Sequence, residues 1–346
     1  MAIDNRKVLV LVFLSFILAA SLQAQQETLH RFRVICYNVE NYFDCVDDSL
    51  TNDSEYLPGG IRGWNQTKYR QKQANIAKVI SAIGGWETPA IVGLCEVESQ
   101  KSLLDLTRHS PLSSFDYKFI HHESPDARGV DVALLYHPYQ FFPLSDEAIR
   151  INFPNDSRTT RDILYVSGTT LSDDTLHIFV NHFPSRLGGE LESEERRIFV
   201  ASVLRTKVDS LLLVHSDPNV LIMGDFNDYP NNKSMLETLK AHPVKESIST
   251  KKLYNLTYEL HKQGKGTYKH DGEWGMLDQF IVSGNLLNPA NKFFTLQQDV
   301  YVFDADFLLE NDEKHLGKQT FRTYIGMKYN AGFSDHLPIY MDFWMR

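Results

Sequence analysis

The chain predicts an α+β fold in which β-sheets pack against one another with helices outside. Three observations carry this reading. Apolar runs of strand length outnumber amphipathic helical stripes. The stripes are separated by several strands instead of alternating with them one for one. No internal repeat, low-complexity run or linker divides the sequence, so residues 25–346 read as one domain.

The elements follow in order. Residues 32–37 read as the first strand, leading into Asn38-Val39-Glu40-Asn41. Residues 44–63, rich in Asp, Asn, Pro and Gly, read as a long loop. Ile76, Val79, Ile80 and Ile83 form one helical stripe over 68–83, ended by Gly84-Gly85. Lys68 and Arg70, beside Trp64 and Tyr69, read as a basic aromatic stretch that could contact substrate, or with Lys72 as a solvated helix face. A buried strand over 90–95 delivers Glu96 and Glu98, and a short helix spans 99–109. Strands are expected at 117–120, 130–136, 163–168 and 176–180, the last ending in Asn181-His182. A long helix over 194–214 turns Ile198, Ala201, Leu204, Val208 and Leu211 inward. The apolar run 219–223 is a strand ending in Gly224-Asp225-Phe226-Asn227, followed by a short helix over 234–240. Further strands cover 276–282 and 337–343, the latter preceded by Ser334-Asp335-His336.

Residues 1–24 stand apart. Arg6 and Lys7 precede an apolar run over 8–20, and Ser21-Leu22-Gln23-Ala24 offers a cleavage site, the layout of a signal peptide. The run is shorter than the ~20 residues a spanning helix needs. No cysteine follows it to carry a lipid. The mature chain is therefore expected to be secreted or periplasmic, with no stable membrane anchor, and monomeric. The net charge of -9 opposes long-range attraction to nucleic acid unless a local basic patch outweighs it. The odd number of cysteines, Cys36, Cys45 and Cys95, supports no disulfide framework, and no zinc-type spacing occurs.

Polar groups recur where apolar runs end: Asn38 with Glu40, Glu96, His182, Asp225 with Asn227, Asp278, and Asp335 with His336. Any one such end reads equally well as a turn. Together they suggest one rim carrying a site. Carboxylates and carboxamides without cysteine suit Mg²⁺, Mn²⁺ or Ca²⁺. Histidines beside carboxylates add groups that change charge near neutral pH. A divalent ion with a His–Asp couple is equipment for phosphate ester hydrolysis.

In this order, Tyr37-Asn38-Val39-Glu40-Asn41, Cys95-Glu96, Asn181-His182, Gly224-Asp225-Phe226-Asn227, Leu277-Asp278 and Ser334-Asp335-His336 resemble the endonuclease/exonuclease/phosphatase superfamily. That superfamily includes DNase I-like nucleases, exonuclease III-like enzymes, inositol polyphosphate 5-phosphatases and neutral sphingomyelinases. The resemblance spans about residues 31–346 and implies a four-layer α/β/β/α sandwich of two mixed sheets. It implies Glu96 as principal metal ligand, with Asn38, Glu40 and Asp335 around the ion. It implies that Asp225 positions or deprotonates water and that Asn227 holds the phosphate or Asp225. It implies that Asp278 orients His336, fixing its tautomer as the middle member of a triad is fixed. It implies that His182 faces the phosphate and stabilises the pentacovalent state or protonates the leaving group. Which histidine is acid and which base stays open.

Several residues keep two readings. Arg186 is a phosphate contact or a surface arginine. Lys265, Tyr268 and Trp274, in a basic aromatic stretch, clamp substrate, or form a hairpin with Trp274 packed beneath. Asp131 partners an arginine or joins the chemistry. The expected substrate is a phosphodiester, a nucleic acid or a small molecule, and an endonuclease-like activity is the leading reading. A lipid or inositol phosphate hydrolase is the alternative, and a non-catalytic binding protein a third. No apolar hairpin suited to a bilayer stands out, and residues 303–309 come nearest.

Overall fold

The computed structural model describes residues 29–346 apart from 155, 156 and 187. The expected signal peptide lies outside the described residues. Most strands here are near-continuous apolar runs because both faces of each sheet are covered. The first sheet runs β14 (Phe293–Phe294), β20 (Ile339–Met345), β1 (His30–Tyr42), β2 (Ile91–Val97), β4 (Asp131–Tyr136) and β3 (Lys118–His121), with β15 (Val300–Val302) also on β20. The second runs β5 (Phe141–Ile149), β6 (Ile163–Thr170), β7 (Thr175–His182), β8 (Asn219–Asp225), β13 (Asp278–Ser283), β10 (Leu253–Asn255) and β9 (Ala241–Pro243). Both are mixed: β1–β2 and β7–β8 are parallel, while β2–β4 and β8–β13 are antiparallel. Three hairpins stand off the sheets: β11 (Tyr268–His270) with β12 (Glu273–Gly275), β16 (Leu309–Asn311) with β17 (Lys318–Thr320), and β18 (Tyr324–Ile325) with β19 (Lys328–Tyr329).

Side-chain alternation divides the core into three parts. Val34, Cys36, Cys95 and Leu134 of the first sheet meet Val166, Ile178, Val180, Leu221, Met223 and Phe280 of the second. The outer face of the first sheet, with Ile35, Tyr37, Val92 and Leu94, is covered by α1 (Gln66–Gly84) and α2 (Gln100–Arg108). The outer face of the second, with Phe179, Val220, Ile222 and Ile281, is covered by α3 (Glu190–Val214). This is the four-layer α/β/β/α sandwich. Residues Arg31–Met345 form one compact unit. Among the described residues no helix is long and apolar enough to cross a membrane.

Three differences from the sequence reading have physical causes. β5 was not expected, because it is an edge strand, mostly exposed, with Pro143 beside a bulge. The buried face of α3 is rotated: Arg197, Val200, Ala201, Leu204, Val208 and Leu212 face inward, while Ile198 and Leu211 are half-buried. Arg197 earns its place by a 2.7 Å ion pair from Nε to the buried Asp228. Residues 303–309 pack against the helix-covered core, whereas the β18–β19 hairpin exposes Ile325 and Met327 at its tip.

Gly224 is where β8 must be glycine. Its φ is +145°, and a Cβ there would stand 1.9 Å from the backbone oxygen of Asn181 on β7. Gly224→Ala is expected to destabilise the fold by roughly 2 kcal/mol or more and to disturb the adjoining Asp225. Thermal unfolding of the variant checks this. A melting temperature equal to wild type would refute it.

Candidate active site

Strand register brings the second sheet's groups together. His182 on β7 lies opposite Asp225 on β8, and Asp225 lies opposite Asp278 on β13. The first sheet supplies Asn38 and Glu96 through irregular pairing. Register shifts occur between Asn38 and Tyr42 and between Cys95 and Val97. Glu40, Asn41 and Glu96 there take φ of 52°, 54° and 66°, and Asn227 after β8 takes 49°. Left-handed backbone at non-glycine residues is strained, and bulges re-aim side chains. Here they turn Glu96 out of the alternation of β2.

Asp225 is the hub. Its Oδ2 accepts from Asn38 Nδ2 at 3.0 Å, across the gap between the sheets, and from Asn227 Nδ2 at 3.3 Å. Its Oδ1 accepts the Asn227 backbone N–H at 2.9 Å. His182 Nε2 stands 3.5 Å and His336 Nε2 3.8 Å from Oδ2. His336 Nδ1 is 2.7 Å from Asp278 Oδ2. Ser334 Oγ donates to the Asn38 carbonyl and accepts the His336 N–H, fixing the segment before β20. Tyr268 tilts over the His336 ring at 5.0 Å.

These groups are buried, so their charges are set by one another. Burial pushes the Asp225 carboxyl up to about 6, with His336 opposing and Asp278 reinforcing. Burial works against a charged His336, but Asp278 and Asp225 outweigh it and hold its pKa well above the ordinary value. Burial, with Arg161, Arg128 and His336, holds His182 well below it. At neutral pH His336 is therefore an imidazolium and His182 a neutral imidazole, a distinction invisible in the sequence.

Glu96 Oε2 accepts the Asn41 N–H at 2.8 Å, while Oε1 has Asn38 Nδ2 at 3.4 Å and the neutral His182 at 3.9 Å. No lysine or arginine among the described residues stands within ion-pair distance of Glu96. An oxygen-rich pocket with an unbalanced carboxylate fits a hard divalent cation. Glu40 and Asp335 differ. Asp335 accepts from Arg322 Nη2 at 2.9 Å, and Arg322 Nε lies 3.5 Å from Glu40. Another compact grouping is His121, Glu123 and Asp131, in which Asp131 pairs across β2 and β4 with Val97, next to Glu96. There Asp131 is already engaged by His121 Nε2 and by the backbone and hydroxyl of Ser124, so its partner is not an arginine.

The expected substrate contacts divide. Tyr268 joins the site. Trp274 packs on the helix-covered core. Lys265 lines a separate hollow with Leu260, Gln297 and Tyr301. Arg186 braces the site from behind: it donates to the Asn227 carbonyl, pairs with Glu190 and stacks on Tyr229.

Lys72 corrects the solvated-face reading. It is fully buried, with Nζ donating to Thr323 Oγ1 and the Phe333 carbonyl, both at 2.6 Å. Thr323 in turn donates its N–H to Glu40 Oε2 at 2.7 Å. The spacing of Tyr69, Lys72, Ile76, Val79 and Ile83 places Lys72 on the apolar stripe, the signal that could have revealed it. Burial lowers its pKa to about 8, with Glu40 and Asp335 opposing. The unfolded chain thus binds the extra proton between about pH 8 and 10.5, and this group's penalty on stability is relieved as pH rises through that window. Lys72→Met is expected to remove that alkaline gain, measured by denaturant unfolding from pH 7 to 10. A slope matching wild type would contradict the assignment. Arg322, Thr323, Arg161 and Arg128 were not anticipated at all, because nothing near them in sequence marks them.

The chain matches the family described as Endonuclease/Exonuclease/phosphatase family over residues 33–344, and it belongs to that family. Solved structures share its fold. Humanized TDP2 from D. rerio is 15% identical, covering 90% of this chain and 98% of that one with a TM-score of 0.55. An endonuclease/exonuclease/phosphatase family protein from Bacteroides thetaiotaomicron is 14% identical, covering 92% and 96% with a TM-score of 0.56. The human Nocturnin catalytic domain with bound sulfate anion is 16% identical, covering 91% and 95% with a TM-score of 0.53. No curated protein matches the chain. The chain is a phosphoesterase of this superfamily, whose enzymes usually use a divalent metal.

Proposed function

We propose that the chain is an exported phosphodiesterase dependent on Mg²⁺ or Mn²⁺, acting on nucleic acid. The observation that carries the reading is the buried Asp225 hub, flanked by a charged His336–Asp278 pair and by Glu96, which among the described residues has no lysine or arginine within ion-pair distance. A D. rerio TDP2 structure of this fold holds a single-strand DNA product, which supports the substrate class. Glu96, with Asn38 beside it, would hold the ion, which supplies charge neutralisation and polarises the phosphate. Asp225, ionised above about pH 6, aims water at phosphorus and takes its proton. As the new P–O bond forms and the old one breaks, the His336 imidazolium faces the developing charge and has a proton to give the leaving oxygen. Asp278 fixes its orientation through Nδ1. Asn227 and the neutral His182 contact phosphate oxygens.

Hydrolysis of bis-p-nitrophenyl phosphate over p-nitrophenyl phosphate, with Mg²⁺ and not with EDTA, tests this. Failure on both esters with metal present would refute it. Nicking of plasmid DNA tests the substrate class. The exposed Ile325 and Met327, on the hairpin following Thr323, favour a second reading in which the phosphodiester belongs to a lipid headgroup at a bilayer. Turnover of sphingomyelin vesicles but not of DNA would select it. Export is tested by the N-terminus of the protein recovered outside the cytoplasm, expected near Gln25.

A further inference from the structure

We propose that Arg322 is a fixed cation occupying one half of the acidic site, so that this chain takes a single divalent ion, at Glu96, rather than a pair. The inference rests on the reading of the site as a divalent-cation site.

The acidic side chains fall into two halves. In one, Asp335 Oδ2 and Glu40 Oε1 flank the Arg322 guanidinium at 2.9 and 3.5 Å. Glu40 Oε2 accepts the Thr323 N–H, and Thr323 Oγ1 is held by the buried Lys72 ammonium. Two carboxylates and two cations make this half neutral without an ion. In the other half, among the described residues, Asp225 meets Asn38, Asn227, His182 and the His336 imidazolium, while Glu96 meets only amides and the neutral His182: Asn38, the Asn41 N–H and His182 Nε2.

The halves respond oppositely to an added cation. A divalent ion at Glu96 gains a carboxylate that, among the described residues, has no lysine or arginine within ion-pair distance, Lys72 acting on it only from farther off. An ion between Glu40 and Asp335 would have to expel the guanidinium and then stand near Lys72. That ammonium is buried and held by two short hydrogen bonds, so it has nowhere to withdraw to. Repulsion between like charges is strong beside an ammonium that is itself buried. Arg322 keeps its charge at all accessible pH and presents a rigid fork matched to two carboxylates, which suits it to this permanent role. Its side chain is 38% exposed. A guanidinium on a side chain this exposed can offer a phosphate oxygen the positive charge that a second ion would bring.

The test is calorimetric titration of the mature chain with Mn²⁺, with stoichiometry confirmed by electron paramagnetic resonance. Wild type and Arg322→Lys are each expected to bind one ion per chain. Arg322→Gln is expected to bind a second ion, or the first at least about tenfold more tightly. Glu96→Gln is expected to abolish binding while Arg322 is in place. Two ions of comparable affinity in wild type would overturn the proposal and leave the metal reading standing. So would an ion retained by Glu96→Gln, or an Arg322→Gln titration superimposable on wild type. No Mn²⁺ bound to wild type at all would overturn both. Thermal melts verify that each variant is folded, and the wild-type stoichiometry together with Glu96→Gln decides the question should Arg322→Gln fail to fold.

Discussion

Replacing His336 with alanine is expected to lower phosphodiester turnover by about 10³–10⁴-fold, the upper range for loss of a positioned acid–base group. The loss should fall mainly on kcat, because the imidazolium matters most when charge develops on the phosphate. His336 is 6% exposed and is the only cationic partner of the buried Asp278 among the described residues. Its removal leaves that carboxylate uncompensated, which costs on the order of 3–5 kcal/mol when a buried pair is broken. The two effects are separable. Asp278→Asn keeps an imidazole at the site but removes the charge that holds it protonated, so it should lose activity with a smaller stability penalty. Turnover of bis-p-nitrophenyl phosphate at saturating Mg²⁺, on variants shown to be folded by circular dichroism, checks both. If His336→Ala kept more than about a tenth of the wild-type rate, the acid–base assignment would fail.

Asp225→Asn should be nearly as damaging, about 10²–10⁴-fold, and should also alter the pH profile. In wild type the carboxyl sits at about 6, so the rate is expected to fall tenfold per pH unit below that point. The asparagine variant should lose this acid limb and retain a low rate independent of pH. The stability consequence has a definite sign. The folded-state pKa is raised from 3.8 to about 6, so the native protein holds this proton more tightly than the unfolded chain. Asp225's contribution is therefore greatest below about pH 4 and is lost as pH rises through 6. Asp225→Asn removes that share of the slope. An unchanged acid limb in the variant would assign the base to another group.

The sequence carries the architecture because apolar periodicity records burial on both faces of each sheet. The strand over 219–223, the helix stripe of Ile76, Val79, Ile80 and Ile83, and the strand leading to Glu96 all speak through that pattern. β5 was silent because an exposed edge with charged residues and Pro143 has no such pattern. Arg197 was missed because hydrophobicity gives no credit to a charge that packs inward onto a partner thirty-one positions away, Asp228.

The sequence by itself determined the residue types at the site and their places at strand ends, since each follows an apolar run that must be buried. Only the tertiary structure decided which of those residues are equivalent in role. Glu40, Glu96 and Asp335 look alike as carboxylates at strand exits. In space Glu96 has no lysine or arginine within ion-pair distance among the described residues, whereas Glu40 and Asp335 share Arg322, with Lys72 behind them. His182 and His336 look alike as well, yet one is neutral beside Arg161 and Arg128 and the other is charged against Asp278. Charge state depends on distances across strands, loops and sheets, and a linear pattern does not encode those distances.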